Sequence, residues 1–176
     1  AKGELVVGGG KSILELDNFE EIREAATRIR DNCLLNLDVL LEEWEKHAVA
    51  AGTIVHWAEK PQDVNQLVIE IARKHQVRKI IKSKSMLGEE TNLNHVLEAA
   101  GLDVRETDLG EYIIQQFGET PSHIIAPAVH KSKDDIADLF AEKHKRPRLT
   151  DIAALTHEAR EILRPHFLDA DMGISG

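Results

Sequence analysis

Between residues 53 and 144, short apolar runs alternate with helical stretches, and this alternation constrains the fold more than any other feature of the chain. The runs 53–57, 77–81, 104–107 and 123–126 read as strands, whereas 62–75, 91–100, 110–117 and 132–144 carry apolar residues at three- and four-residue steps. Strands separated by helices cannot pair as hairpins and need crossovers. The expected fold is therefore α/β, a three-layer α/β/α arrangement around a mostly parallel sheet with right-handed connections. Pro61 supplies a helix start and Gly101 a helix stop.

Upstream, Ile22, Ala25, Ile29, Cys33, Leu37, Leu40, Trp44 and Ala48 recur at helical spacing. They predict one long amphipathic helix over 17–52, begun by the Asp17 and Glu20 signal, stopped by Gly52 and packed on an α/β domain spanning 53–176. Its charged residues, among them Glu42, Glu43, Glu45 and Lys46, read as a solvated face. Residues 1–16 read as a flexible leader. Within them Gly10-Lys11-Ser12 invites comparison with a phosphate-binding loop, but Leu5 stands where that loop needs its first glycine.

The 22 basic and 31 acidic residues leave a net charge of −9, which argues against general affinity for nucleic acid or anionic lipid. With one cysteine, Cys33, the chain has no disulfide framework, and a reducing, cytoplasmic setting is expected. No run approaches the roughly 18 apolar residues of a membrane-spanning helix. Nine histidines are scattered without a His-x-x-x-His pair, so no metal site is expected in this segment. The basic stretch 143–148 contains Pro147 and reads as a solvated linker before a helix capped by Thr150 and running to about Arg164. The tail, 165–176, is rich in turn formers, and the domain reads as incomplete at that end.

Parallel strands bring the turns after their carboxyl ends to one sheet edge, where ligands of open α/β sheets bind. Three polar clusters occupy such turns: Lys82, Ser83, Lys84 and Ser85 with Glu89 and Glu90; Thr107, Asp108 and Glu111 with Gln115; and Pro127 with His130. Ammonium groups there suit a phosphate or carboxylate, and the carboxylates suit a hydroxyl. The candidate ligand-binding residues are Lys82, Ser83, Lys84, Ser85, Glu89, Glu90, Asp108 and Glu111. Plainer readings apply singly. Ser85 and Asp108 also read as helix caps, and Glu89 and Glu90 suit the first turn of a helix.

The run from Lys82 to Glu90 (Lys-Ser-Lys-Ser-Met-Leu-Gly-Glu-Glu), Asn94-His95-Val96-Leu97-Glu98, Glu106 to Glu111 and Pro121-Ser122-His123-Ile124 resemble the LUD domain of the iron–sulfur protein of bacterial L-lactate utilisation, the LutB/LldF family. Ile29 to Asn32 and His56-Trp57-Ala58 fit the same family, so the likeness covers nearly the whole chain. It implies a CoA-transferase-like α/β/α fold. It also implies membership of a three-component complex that oxidises L-lactate to pyruvate and passes electrons through two [4Fe–4S] clusters. The family's cluster cysteines lie in a ferredoxin-like region beyond this domain, so no cluster is expected here. Other subunits of that complex are the implied partners, with self-association a further expectation and membrane association only through those subunits. The rival expectation is an independent enzyme domain that binds an acyl or phosphorylated ligand between the 82–85 and 108–111 turns.

Overall fold

The computed structural model describes residues 16–123 and 126–176. Two compact units divide the chain, one ending at Trp57 and one beginning at Ala58. Among the described residues the first holds two helices, α1 (Phe19–Leu35) and α2 (Leu37–Ala50), where a single one was expected. The break falls at Asn36, whose φ of −120° and ψ of 24° leave the helical region. The amide of Asn36 donates from Nδ2 to the Asn32 carbonyl at 2.8 Å, the competition with backbone pairing that makes asparagine a poor interior helix residue. The N-cap of α1 is Asn18, not Asp17, and Gly52, at φ +90°, follows α2 as the expected stop. The 53–57 run is not a strand. Trp57 at its end donates from Nε1 to Glu45 Oε1 at 2.9 Å.

The second unit is the α/β domain. Its order is α3 (Pro61–Lys74), β1 (Lys79–Lys82), α4 (Met86–Glu90), α5 (Leu93–Ala99), β2 (Asp103–Glu106), α6 (Leu109–Phe117), α7 (Lys133–His144), α8 (Ile152–Asp169) and β3 (Met172–Ile174). The three strands form a parallel sheet in the order β2-β1-β3. Side chains alternate across a strand, and the register pairs Ile80 with Val104 and Lys82 with Glu106. All four are buried, so one apolar cross-strand row continues, a step later on the same face, as an ammonium–carboxylate row. Ile80 and Val104 pack with Ala72 of α3, Val77 before β1, and Leu93 and Leu97 of α5 in one core. A second core joins Tyr112 and Ile113 of α6 to Ala137 and Phe140 of α7 and Leu155, Ala159 and Leu163 of α8.

Several boundaries depart from expectation. Lys82 closes β1 and does not belong to the turn. The helix behind that turn is interrupted at Asn92, which adopts φ +52°, a left-handed conformation that asparagine tolerates. The expected strand 123–126 includes residues 124 and 125, which lie outside the described residues; its flanks, His123 and Ala126, are not in a strand. Asp151, not Thr150, caps α8, accepting from Ala154 N at 2.9 Å. The helix continues through Pro165 to Asp169. The tail, read as turns, contributes β3. Asp171 anchors it by accepting from the backbone N–H of Arg78 and of Lys79, both at 2.9 Å.

Candidate functional site

Because all three strands run the same way, their carboxyl ends open on one edge. The turn 83–85 leads into α4, and Thr107 with Asp108 leads into α6. Ser85 caps α4 by accepting from Gly88 N at 3.1 Å. Asp108 caps α6 through Oδ1, accepting from the N–H groups of Gly110 and Glu111 at 3.1 and 3.2 Å. Both caps serve the site indirectly. By fixing the start of α6, Asp108 places Glu111 on its first turn, facing the edge.

Beneath the edge lies a buried charge pair. Lys82 has no exposed surface, and its Nζ stands 2.8 Å from Glu106 Oε1 and 3.5 Å from Glu89 Oε1. Asn94 Nδ2 donates to the same Glu106 oxygen at 2.5 Å. Gln115 braces the strand, donating from Nε2 to the Val104 carbonyl at 2.8 Å and accepting from Glu106 N–H at 3.2 Å. Gly88 lies directly above Lys82, a Cβ there falling 3.4 Å from Nζ. Lys82 is thus part of the floor and not a freely presented ammonium.

Above the floor runs a cleft with two lobes. The larger, of about 430 Å³, has Glu89, Asn94, Glu106, Glu111 and Gln115 in its walls. The smaller, of about 350 Å³, is walled by Lys84, Met86, Glu111, Pro121 and Ser122, among others. Glu89, Glu111, Thr120 and Pro121 border both. Glu111 is 5% exposed, and its carboxylate accepts no hydrogen bond among the described residues. Its one close cation among the described residues is Lys84 Nζ, 3.9 Å away. Burial pushes the Glu111 carboxyl above its usual range, with Glu89 and Glu106 adding to the effect and Lys84 and Lys82 opposing it. At the rim, His130 Nδ1 lies 2.8 Å from Ser122 Oγ and His130 Nε2 lies 3.1 Å from Glu119 Oε2. Lys131 donates to the other Glu119 oxygen at 2.6 Å, and these bonds hold Glu119 below its usual carboxylate range.

Of the residues expected at a ligand site, Lys84, Ser85, Glu89, Glu90 and Glu111 do line the cleft. Lys82 is buried under it, Ser83 bonds to Ile174 O and approaches Ser175, and Asp108 is a cap. Sequence reasoning about strand ends missed Glu106, Asn94, Thr120 and Ser122. Glu106 was open to discovery, since pairing the two apolar strands in register sets it opposite Lys82. Thr120 and Ser122 follow a helix, where no strand-end rule points. Among the described residues no group of histidine, cysteine, aspartate and glutamate side chains is arranged to hold a metal ion.

Fold and site together define a class: an α/β domain with a small parallel sheet whose carboxyl edge opens on a polar, carboxylate-rich cleft over a buried lysine–glutamate pair. The chain belongs to the LUD domain family, which matches residues 41–176. It is 42% identical over 166 residues to Lactate utilization protein B 2 of Bacillus mycoides (strain KBAB4), covering 94% of this chain and 35% of that protein. To Lactate utilization protein B of Geobacillus thermodenitrificans (strain NG80-2) it is 46% identical over 165 residues, covering 93% of this chain and again 35% of the relative. The Bacillus cereus (strain B4264) protein of the same name is 41% identical over 166 residues. The chain therefore spans about a third of the length of the relatives it matches. No solved structure matches it. No helix among the described residues is long and apolar enough to cross a membrane.

Proposed function

We propose that this chain is the N-terminal LUD portion of an iron–sulfur electron-transfer subunit in a cytoplasmic complex that oxidises L-lactate to pyruvate. Its α/β unit serves there as a ligand-binding and docking module for the other subunits. The observation that carries this reading is the similarity, over 94% of the chain, to a protein named for lactate utilization. The two [4Fe–4S] clusters of the proposal do not fit the residues present here. A cluster of this kind takes four thiolates, and this chain offers only the exposed Cys33. Their ligands belong to chain beyond the matched third of the relatives, and no step is assigned to this domain through them.

The test is anaerobic reconstitution of the full-length protein beside this chain, read by iron content, electron paramagnetic resonance and lactate-dependent reduction with its partner subunits. Clusters in the full-length protein alone, reduced by lactate, are the expected result. A full-length protein that binds no iron overturns the electron-transfer reading. Glu111, a buried carboxyl facing a cleft, favours a second reading, an enzyme domain of CoA-transferase-like fold acting on an acyl or phosphorylated ligand. Glu89, Glu98, Glu106, Glu111 and Glu119 in the walls of the larger lobe oppose a polyphosphate, which leaves the acyl class as the form of that reading the cleft tolerates.

A further inference from the structure

The smaller lobe brings together Lys84, the buried Glu111 with Glu89 and Glu90 beside it, the hydroxyls of Thr120 and Ser122, and the apolar Met86 and Pro121. Lys84 has a third of its side chain exposed, and its one ion pair among the described residues is the long contact to Glu111. Its ammonium therefore has donors free for a ligand. Glu111 is buried in the wall of the cleft, and among the described residues its carboxylate carries no hydrogen bond. An acid so placed, beside a lysine, is completed by a group that accepts from both. A carboxylate does this, bridging the ammonium and the neutral form of Glu111 that burial favours. Ser122 Oγ, held by His130 Nδ1 at 2.8 Å and Pro127 O at 3.0 Å, and Thr120 stand in the same wall and offer contacts to a hydroxyl. Met86 and Pro121 supply apolar surface for a short carbon chain.

The geometry points to this lobe as a binding site for a short 2-hydroxycarboxylate, its carboxylate on Lys84 and Glu111, its hydroxyl on Ser122 or Thr120, and its alkyl end against Met86 and Pro121. The choice of a hydroxy acid rests on the proposed role in lactate oxidation; the carboxylate contact rests on the lobe itself. No bond is made or broken in this step, which is binding alone. Glu111 is faced by Glu89 from α4, by Glu106 and Lys82 from the sheet, and by Lys84 from the turn. Burial first, and then the two carboxylates of Glu89 and Glu106, favour its neutral form, the one that donates to the ligand. Binding therefore strengthens as pH falls and weakens as Glu111 ionises.

The experiment titrates L-lactate, and propionate as its hydroxyl-free counterpart, into this chain by calorimetry or saturation-transfer NMR from mildly acidic to neutral pH. L-Lactate is expected to bind, at least about tenfold tighter than propionate, and Lys84→Met to weaken it by at least about tenfold. Glu111→Gln, which keeps a hydrogen-bond donor but cannot ionise, is expected to bind with no pH dependence over the range where the unsubstituted chain loses affinity. Unchanged NMR spectra outside the lobe exclude misfolding of either variant. Absent binding of L-lactate, equal binding of propionate, indifference to Lys84→Met, or an unchanged pH profile in Glu111→Gln each overturns the inference. The two readings fail separately. A full-length protein whose clusters are reduced by lactate at the normal rate despite Lys84→Met refutes the site and leaves the electron-transfer role standing. Lactate binding by a full-length protein without iron does the reverse.

Discussion

Lys82 offers the sharpest test of how this domain is held together. The side chain has no exposed surface, lies on the central strand, and faces Glu106, which is 1% exposed. Lys82→Met keeps the stem's volume and removes the charge. Glu106 then keeps the Asn94 amide at 2.5 Å but loses the cation at 2.8 Å, and its other near neighbour, Glu89, is also an acid. Stranding one partner of a buried ion pair costs about 3–5 kcal/mol. That is a large part of the roughly 5–15 kcal/mol that stabilises a domain. Lys82→Met with Glu106→Gln neutralises both ends and is expected to recover most of the loss, because the intact pair offsets little more than its own desolvation. Urea titration followed through the ring resonances of Tyr112, the chain's one tyrosine and a core residue of this unit, reports this unit alone. The single variant should lower the midpoint with an unchanged denaturant slope. A loss under about 1 kcal/mol in the single variant, or a double variant no better than it, refutes the reasoning.

Other sites give smaller, separable effects. Asp108→Ala removes the cap of α6 and should cost about 1 kcal/mol, read by urea titration, and should increase amide exchange at Gly110 and Glu111. Tyr112→Phe deletes the hydroxyl 2.9 Å from His144 Nε2 in a buried Tyr112–His144–Glu158 chain and should cost about 1 kcal/mol in the same assay. Gly110→Ala would place a Cβ 2.8 Å from Pro127 Cγ, and overpacking of this kind costs about 1–3 kcal/mol; chemical shifts at Ser122, bonded to the Pro127 carbonyl, should move with it. Glu111 has a folded-state pKa raised above its unfolded value, so the stability it contributes is full at acidic pH and is lost as pH rises through the raised pKa. Glu111→Gln should therefore flatten the fall in melting temperature between acidic and neutral pH and be the more stable form at neutrality.

The parallel sheet was legible because Ile80-Ile81 of β1 and Val104 of β2 are short strand-like stretches bounded by a glycine or a polar turn, and the helices between them forbid hairpins. What was not legible depends on partners far along the chain. Met172–Ile174 is three residues long with Gly173 at its centre, and no local pattern marks it as a strand. It forms because Ile80 to Lys82 offer a free edge and Asp171 caps the backbone of Arg78 and Lys79. The 53–57 run has strand composition, but composition without a partner edge yields no ladder. Pro165 reads as a stop, yet α8 continues past it. The cleft was half legible. Strand-end logic finds Lys84, Glu89 and Glu111, while Ser122 and Thr120 reach it from a helix-to-helix connection.

One strand parity explains why two lysines two residues apart have opposite fates. Ile80, Lys82 and Lys84 are spaced by two, so along β1 they share a side of the sheet for as long as the strand lasts. Ile80 meets Val104 inside the apolar core, and Lys82 meets Glu106 at its edge, both enclosed because β1 has a neighbour on each side. Lys84 falls beyond the last paired residue, and its side-chain exposure rises from none at Lys82 to 32%. On the facing strand the row runs Val104, Glu106, then Asp108, which is taken up as a cap, so the next acid to face the edge is Glu111 from inside α6. Lys84 therefore meets Glu111 at 3.9 Å, one step above the closer and fully buried Lys82–Glu106 pair at 2.8 Å. The lower pair lies buried at the sheet edge. The upper pair, supported by it, is the place where a ligand's charge changes the balance, and Lys84→Met should accordingly leave the urea midpoint within about 0.5 kcal/mol of the unsubstituted chain. A Lys84→Met loss as large as that of Lys82→Met would mean that both rows are structural and that the cleft has no free cation to offer.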